Sequence, residues 1–356
     1  MRKVFHRTLR ASFGLLVMAL CGPGATQAQS VDFSGKTITM IVGFGAGGGT
    51  DAVGRIVVPY LQKHLPGNPT IVVRYMPGAS GMTAFNYMVQ QTAPDGLTLT
   101  IGVNDQVDPM NYRKAQVQYD PTRFAYIGGF GRGGYALVVN KDAEKRLTDK
   151  TAQPAVMGSV GGWPRAATQV TAWGVAFFGW NARWVTGYRG TKDLFVALER
   201  GEIDMSATAN YSEIENLVQG GNFRVLNQSG SLENGVFVGR PDLQGAPLFT
   251  EVMAGKISDP MGQRAFDYWK NITATDKFLA LIPGTPDPIV AVYRDAFRKM
   301  TAEPGFMDQG RKVSDYFTVM SHEDVEMLVK SLAATPPEVM DYLTVMLGKQ
   351  GLKIGN

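Results

Sequence analysis

"MIVGFGAGGGTDAVGRI", Met40 to Ile56, is the stretch on which the fold turns. It holds a literal G-x-G-x-x-G at Gly43, Gly45 and Gly48, follows the apolar run "TITMIV" and opens a stretch of helical character. A dinucleotide fingerprint sits at such a strand–turn–helix junction. So does a simpler anion site, because a helix start offers free N–H groups and a partial positive charge. A dinucleotide site also wants an acid at the end of the second strand, about 20 residues on. Here that strand ends in Arg74 with no acid nearby. An arginine suits an NADP phosphate, so this position leaves the nicotinamide reading open. A phosphate-binding P-loop fits worse, since no Lys-Ser or Lys-Thr follows the glycines.

Working outward, short β-rich runs alternate with helical stretches. Strands are expected at 36–42, 69–75 and 97–102, with helices from Thr50 or Asp51 to about His64 and from Met82 to Gln91. Val53, Ile56, Val57, Tyr60 and Leu61 share one face of the first helix. The middle repeats the theme: strands at 135–141, 154–160 and 182–188, helices at 165–179, 191–205 (ended by Gly201 and running into a short strand) and 210–221. The last third reads as mainly helical, at 261–272, 286–302, 321–334 and 336–348. The alternation argues parallel sheets with crossover helices. Glycine-rich polar stretches near 130–136 and 226–240 are the candidate crossings between two α/β lobes.

Three strands run into glycine turns before helices: "GFGAGGGTD" (43–51), "MPGASG" (76–81) and "GSVGGWP" (158–164). Without a Cβ, glycine lets backbone N–H groups close on a ligand. Glycines that merely permit tight βα turns would look the same. Catalytic patterns are thin. His6, His64 and His322 stand apart, and H-E-x-x-H and G-x-S-x-G are absent. Asp51 suits a general base or the stabiliser of its own helix start; Asp204, in "GEIDM", suits a turn or strand end. Metal and cofactor sites are not called for.

Residues 1–28 have the three-part layout of a secretory signal peptide: Arg2, Lys3, Arg7 and Arg10, an apolar stretch from about Ala11 to Cys21, then small residues before a cut after Ala28. A lipid-anchored Cys21 and an N-terminal membrane anchor are the alternatives. The four basic residues of the leader match the formal charge of +4, so residues 29–356 are about neutral and carry no case for nucleic-acid binding. Cys21 is the only cysteine, which leaves the exported chain no disulfide framework and no thiolate chemistry. Nicotinamide cofactors are scarce outside the cytoplasm, which weighs against the literal fingerprint. A chain this long exceeds one ordinary core, so two lobes are expected.

The block "GFGAGGGTDAVGRI", then "VVRYMPGASG" and "APDGLTLTIG", resembles the extracytoplasmic solute-binding proteins of tripartite tricarboxylate transporters, the Bug family. The likeness continues through "YDPTRFAYIGG" (119–129), "VTGYRGTKDLFVALERGEIDM" (185–205) and "LIPGTPDPIVAVYRDAF" (281–297), with 230–275 divergent. It implies an α/β fold of the periplasmic binding protein-like type II: two lobes joined by hinge strands, closing on a small organic carboxylate. The lobes would be 29–133 with 241–356, and 134–240.

By that resemblance the first lobe holds a carboxylate through Phe44, Ala46, Gly47, Gly48, Thr50 and Asp51, and through Pro77, Gly78, Ala79, Ser80 and Gly81. The second lobe closes with Ser159, Gly161, Gly162 and Trp163, and with the segment Ala207, Thr208, Ala209 and Asn210. Two departures matter. "MSATAN" replaces an acid-bearing segment near Thr208, which puts an amino-bearing ligand in doubt, and Trp163 is bulky where relatives are small. An indole there stacks on an aromatic acid, shortens the pocket, or packs at the lobe edge. Arg132, Arg165 and Arg189 are candidates to pair a distal carboxylate. The resulting expectation is a monomeric periplasmic binding protein, not an enzyme, that hands its ligand to a membrane permease. An exported enzyme using Asp51 or Asp204, and a ligand-binding sensor, are the rivals.

Overall fold

A computed structural model describes Met1 and residues 31–352, apart from Trp163, Arg165, 234–235, Gln244 and Thr275. The leader reading of 1–28, with Cys21, and the expectations on Trp163 and Arg165 lie outside the described residues.

Two mixed sheets carry the chain. The first has six strands: β1 (Thr37–Val42), β2 (Thr70–Tyr75), β3 (Thr98–Val103), β4 (Ala125–Arg132), β12 (Lys277–Leu281) and β13 (Phe317–Met320), in the order β13-β4-β12-β3-β1-β2. The second has five: β5 (Ala136–Asn140), β6 (Ala155–Val160), β7 (Ala182–Tyr188), β8 (Met205–Thr208) and β9 (Phe223–Gln228), in the order β7-β6-β8-β5-β9. A short antiparallel hairpin, β10 (Ser231–Glu233) and β11 (Val236–Val238), follows. The expected parallel pairing holds for β1 with β2 and β3, and for β6 with β7 and β8. The remaining pairs, those of β4, β5, β9, β12 and β13, are antiparallel.

The last third is therefore less helical than its sequence reads. "KFLAL" (277–281) is buried at every position and lies between β3 and β4, and "FTVM" (317–320) closes the sheet edge. Neither run alternates polar with apolar over a useful length: the first is buried on both faces and has no reason to, and the second is only four residues long. β4, "AYIGGFGR", is masked at sequence level by its glycines. Gly128 and Gly129 lie where Phe297 and Val325 press on the sheet, so packing overrides propensity there.

Two segments join the sheets side by side. β4 leaves the first sheet at Arg132, passes Gly133 and Gly134 (both at φ +82°) and enters β5. β9 returns through Ser229 and Gly230. Ser229 N–H donates to Tyr135 O at 2.8 Å, and Tyr135 N–H donates to Ser229 Oγ at 2.8 Å. A Cβ on Gly134 would overlap Gly230 O, so this crossing needs glycine for closeness as well as for its left-handed backbone. Arg240 ties the strands to the chain beyond: its Nη1 donates to Arg132 O at 3.2 Å, and its guanidinium lies 4.9 and 4.7 Å from the ring centres of Tyr211 and Tyr316. Trp269 Nε1 donates to Ala166 O at 2.8 Å and Trp184 Nε1 to Gln350 Oε1 at 3.3 Å, so helices late in the chain also pack on elements of the second sheet. Trp173 is fully buried, stacked on Phe177 and edge-on to Phe266. Among the described residues no helix is long and apolar enough to cross a membrane.

Candidate functional site

The parallel strands decide where a ligand can go. Ligands of α/β sheets bind beyond the carboxyl ends of the strands. Here the ends of β1, β2, β6, β7 and β8 lead into glycine turns and helix starts that face one another between the sheets. Four helices begin there: Gly49–His64, Met82–Gln91, Thr191–Glu199 and Tyr211–Gln219. Their N-caps are Gly48, Gly81, Gly190 and Asn210, and none makes a side-chain cap hydrogen bond. Uncapped N–H donors from several helix starts, turned toward one space, give it a positive potential without any cationic side chain.

The turns fit because they are glycine. Gly43 lies against Gly81, and a Cβ on Gly43 would sit 2.8 Å from Gly81 Cα. That contact brings the 43–48 and 77–81 loops together. Gly78 has φ +150° and Gly81 φ +89°. Ala79 and Ser80, at φ +45° and +54°, hold left-handed backbone that non-glycine residues seldom adopt, and Gln106 Nε2 donates to Ser80 O to fix it.

A cavity of ≈ 230 Å³ opens between these loops and those of the second sheet. Of the residues the sequence nominated, Phe44, Pro77, Gly78, Ala79, Ser80, Gly161 and Gly162 line it. Thr50, Thr208 and Asn210 line a second, smaller cavity of ≈ 30 Å³ with Gly49, Thr191 and Lys277; Val160 borders both. The nominated set is thus divided between two spaces. Ala46, Gly47, Gly48, Asp51, Gly81 and Ser159 line neither. Ser159 is fully buried, its hydroxyl 3.0 Å from Thr168 Oγ1.

Asp51 is spent inside its own lobe. Gly47 N–H donates to Oδ2 at 2.7 Å, the Tyr75 hydroxyl to Oδ1 at 2.6 Å, and Arg55 Nε to both oxygens. Burial opposes its ionisation, but the bonds from Tyr75, Gly47 and Arg55 outweigh it and hold the carboxyl below its ordinary range. Its geometry is that of a brace for the glycine loop; a general base would need a free lone pair aimed at the cavity. Asp204 is likewise engaged, by Arg146 at 2.7 Å and by Val156 N–H at 2.8 Å. His64 contacts Glu303 and His322 contacts Glu323, both remote from the cavity lining.

Arg132 does not offer itself to a distal carboxylate as the sequence suggested. It is buried, and its Nε and Nη2 donate to Asp276 at 2.6 and 2.9 Å while Nη1 donates to Asn210 Oδ1. Lys277 Nζ reaches the same Asp276 at 2.5 Å. Burial pushes Asp276 toward protonation, but the two cations overcome this and hold its carboxyl far below the usual range. Arg189 does line the larger cavity. Sequence reasoning left out Gly43, Val160, Gly187 and Tyr188 from that lining. The signal was present: "GYRGTK" (187–192) is a fourth glycine-bearing strand–helix turn. Among the described residues, no group of three or more His, Cys, Asp or Glu is placed to hold a metal ion.

The fold is that of the two-lobed periplasmic binding proteins, and known structures of that class share it. The chain matches periplasmic binding protein BugD with a TM-score of 0.67 at 18% identity, over 89% of this chain and 98% of that one. It matches MatC of Rhodopseudomonas palustris, solved with malate, at 0.65 and 18% (85% and 98% covered). A second R. palustris protein, solved with adipate, matches at 0.66 and 19% (90% and 99% covered). In sequence, a UPF0065 protein of the gbd 5′ region of Cupriavidus necator is 34% identical over 37% of this chain, but the match spans only 38% of that protein's length. A UPF0065 protein of Bordetella pertussis is 25% identical over 80% of this chain and 82% of its own. No protein-family model matches. The resemblance to Bug-type solute receptors read from the sequence therefore stands in the comparisons too, where BugD is described as a periplasmic binding protein.

Proposed function

We propose that the chain is an exported solute-binding protein of the Bug family that captures a small organic carboxylate between its lobes and delivers it to a tripartite tricarboxylate-type permease. The observation that carries this reading is the cavity between the 43–44, 77–80 and 160–162 loops, ringed by glycine backbone and uncapped helix starts. Such a lining suits an anion held by N–H groups, and among the described residues it includes no acid or histidine that a hydrolytic or proton-transfer step would use. The malate and adipate of the neighbouring structures support a carboxylate, and the neighbours' description as periplasmic supports that location for the exported chain. In this reading the lobes are 29–133 with 241–356, and 134–240. The first lobe binds with Phe44 and the loop to Thr50 and with 77–81, the second closes with 159–163 and 208–210, and Asp51 acts by bracing the loop. Binding shifts an open–closed equilibrium at the Gly133–Gly134 crossing, and the permease recognises the closed monomer.

A thermal-shift screen of residues 29–356 tests this. The panel holds citrate, succinate, malate, glutamate, adipate, benzoate and terephthalate, with NADP as control. A ligand that binds only the native state raises the melting temperature by mass action. A carboxylate shift is expected; a shift with NADP alone would restore the literal reading of Gly43, Gly45 and Gly48 and sink the proposal.

A further inference from the structure

The larger cavity carries one charged side chain in its lining, Arg189. It stands at the end of β7, across from the 77–80 turn, and is exposed at the cavity mouth. Among the described residues, the other arginines and lysines near the cleft are engaged elsewhere or lie over the glycine loop. Arg55 pairs with Asp51, Arg132 and Lys277 pair with Asp276, and Lys192 lays its aliphatic chain over Gly47. Arg189 makes no hydrogen bond or ion pair with a described residue. Opposite it, the turn N–H groups supply a neutral anion site, and Phe44, Pro77, Val160 and Tyr188 supply apolar walls between.

We infer that Arg189 makes this site selective for dicarboxylates that lack an ammonium group. One carboxylate sits on the glycine turns, the carbon chain lies along the apolar walls, and the second carboxylate pairs with the Arg189 guanidinium. The inference rests on the carboxylate reading above and deepens it. An amino acid is disfavoured because its ammonium would find a cation and N–H donors where it needs an acceptor carboxylate. A charge-assisted, two-pronged arginine contact is the geometry that tells a second carboxylate from a methyl end.

The test is isothermal titration of wild type, R189Q, R189K and K192Q with matched pairs: adipate and hexanoate, succinate and butyrate, terephthalate and benzoate. Wild type should prefer the dicarboxylate of its best pair by at least tenfold. R189Q should lose that preference by weakening only the dicarboxylate, R189K should keep part of it, and K192Q all of it. Arg189 is exposed, so the variants should melt with wild type. Undiminished preference in R189Q overturns the assignment while leaving carboxylate binding intact. A wild type that binds no member of any pair overturns both readings.

Discussion

Asp276→Asn is the substitution whose outcome the structure fixes most tightly. Asp276, Arg132 and Lys277 are 5%, 4% and 3% exposed, so two cations share one carboxylate out of reach of solvent. Asparagine keeps the shape and part of the hydrogen bonding but removes the negative charge that both cations share. Breaking a buried pair by removing one partner costs about 3–5 kcal/mol. For a chain of this size that lowers the melting temperature by on the order of 10 °C. The comparison is Asp308→Asn, whose pair with Arg311 is more than half exposed on both sides and should cost under about 0.5 kcal/mol. Thermal and urea melts at pH 7 read both. The sign with pH is also set. Asp276 has its pKa depressed in the fold, so its stabilisation is present above the ordinary carboxylate range and is lost on acidification. The gap between wild type and variant should therefore shrink below about pH 4. A D276N loss no larger than that of D308N would refute the reading of Asp276, Arg132 and Lys277 as a buried ion network that stabilises the fold.

Asp108 behaves in the opposite sense: burial pushes its carboxyl up to about 7, against hydrogen bonds from the Tyr268 hydroxyl and Met110 N–H. The folded state then holds a proton the unfolded chain releases, so wild type loses stability relative to D108N as pH rises from about 4 to 7, by up to ~1.4 kcal/mol per pH unit; urea melts across that window check it, and parallel curves would contradict it. Gly161→Ala would place a Cβ on Ser80 Oγ of the facing loop from a backbone at φ +72°, and should weaken carboxylate affinity at least about tenfold, with partial recovery in G161A/S80G by titration calorimetry. Gly78→Val puts its Cβ 2.7 Å from Thr83 Oγ1 at φ +150°, and should abolish binding while also lowering the circular dichroism melt through local strain; wild-type affinity would remove the 77–81 turn from the site. Affinity for a fully ionised dicarboxylate should stay flat from pH 6 to 8, since the described residues lining the cavity include no acid and no histidine, and a midpoint near 6.5 would point to an unassigned histidine.

What was legible in the sequence follows from what each pattern reports. β1 with its loop, β2 with its loop, and β6 with its turn are strand–glycine–helix units, so local chemistry announces them. β12 and β13 are placed by contacts with distant segments, Lys277 with Val103 and Phe317 with Arg132, and no local period records that. The site divides the same way. The glycine turns that line the cavity are written as glycines and are legible, whereas the fate of Asp51 and Arg132 depends on Tyr75 and Asp276, neither of which the sequence pairs with them. The N-cap shows the limit on a small scale: Thr50 or Asp51 reads as the cap, yet the cap is Gly48, two residues before Thr50. A capping side chain at that point would occupy the N–H groups that the loop leaves open.

That absence connects the fold to its chemistry. A carboxylate bound by lysine or arginine would need those cations desolvated when the lobes close, at several kcal/mol per ion. Here the buried Arg132 and Lys277 are already engaged by Asp276, and the acid nearest the glycine loop is paired with Arg55. What remains to face a ligand is a set of N–H dipoles fixed by strained turns, which lose little entropy on binding. On the proposed function, such a site would grip any carboxylate of suitable size and distinguish poorly among them. Discrimination must then come from side chains at the cavity edge, which is the position Arg189 occupies, on the lobe that carries the closing turns.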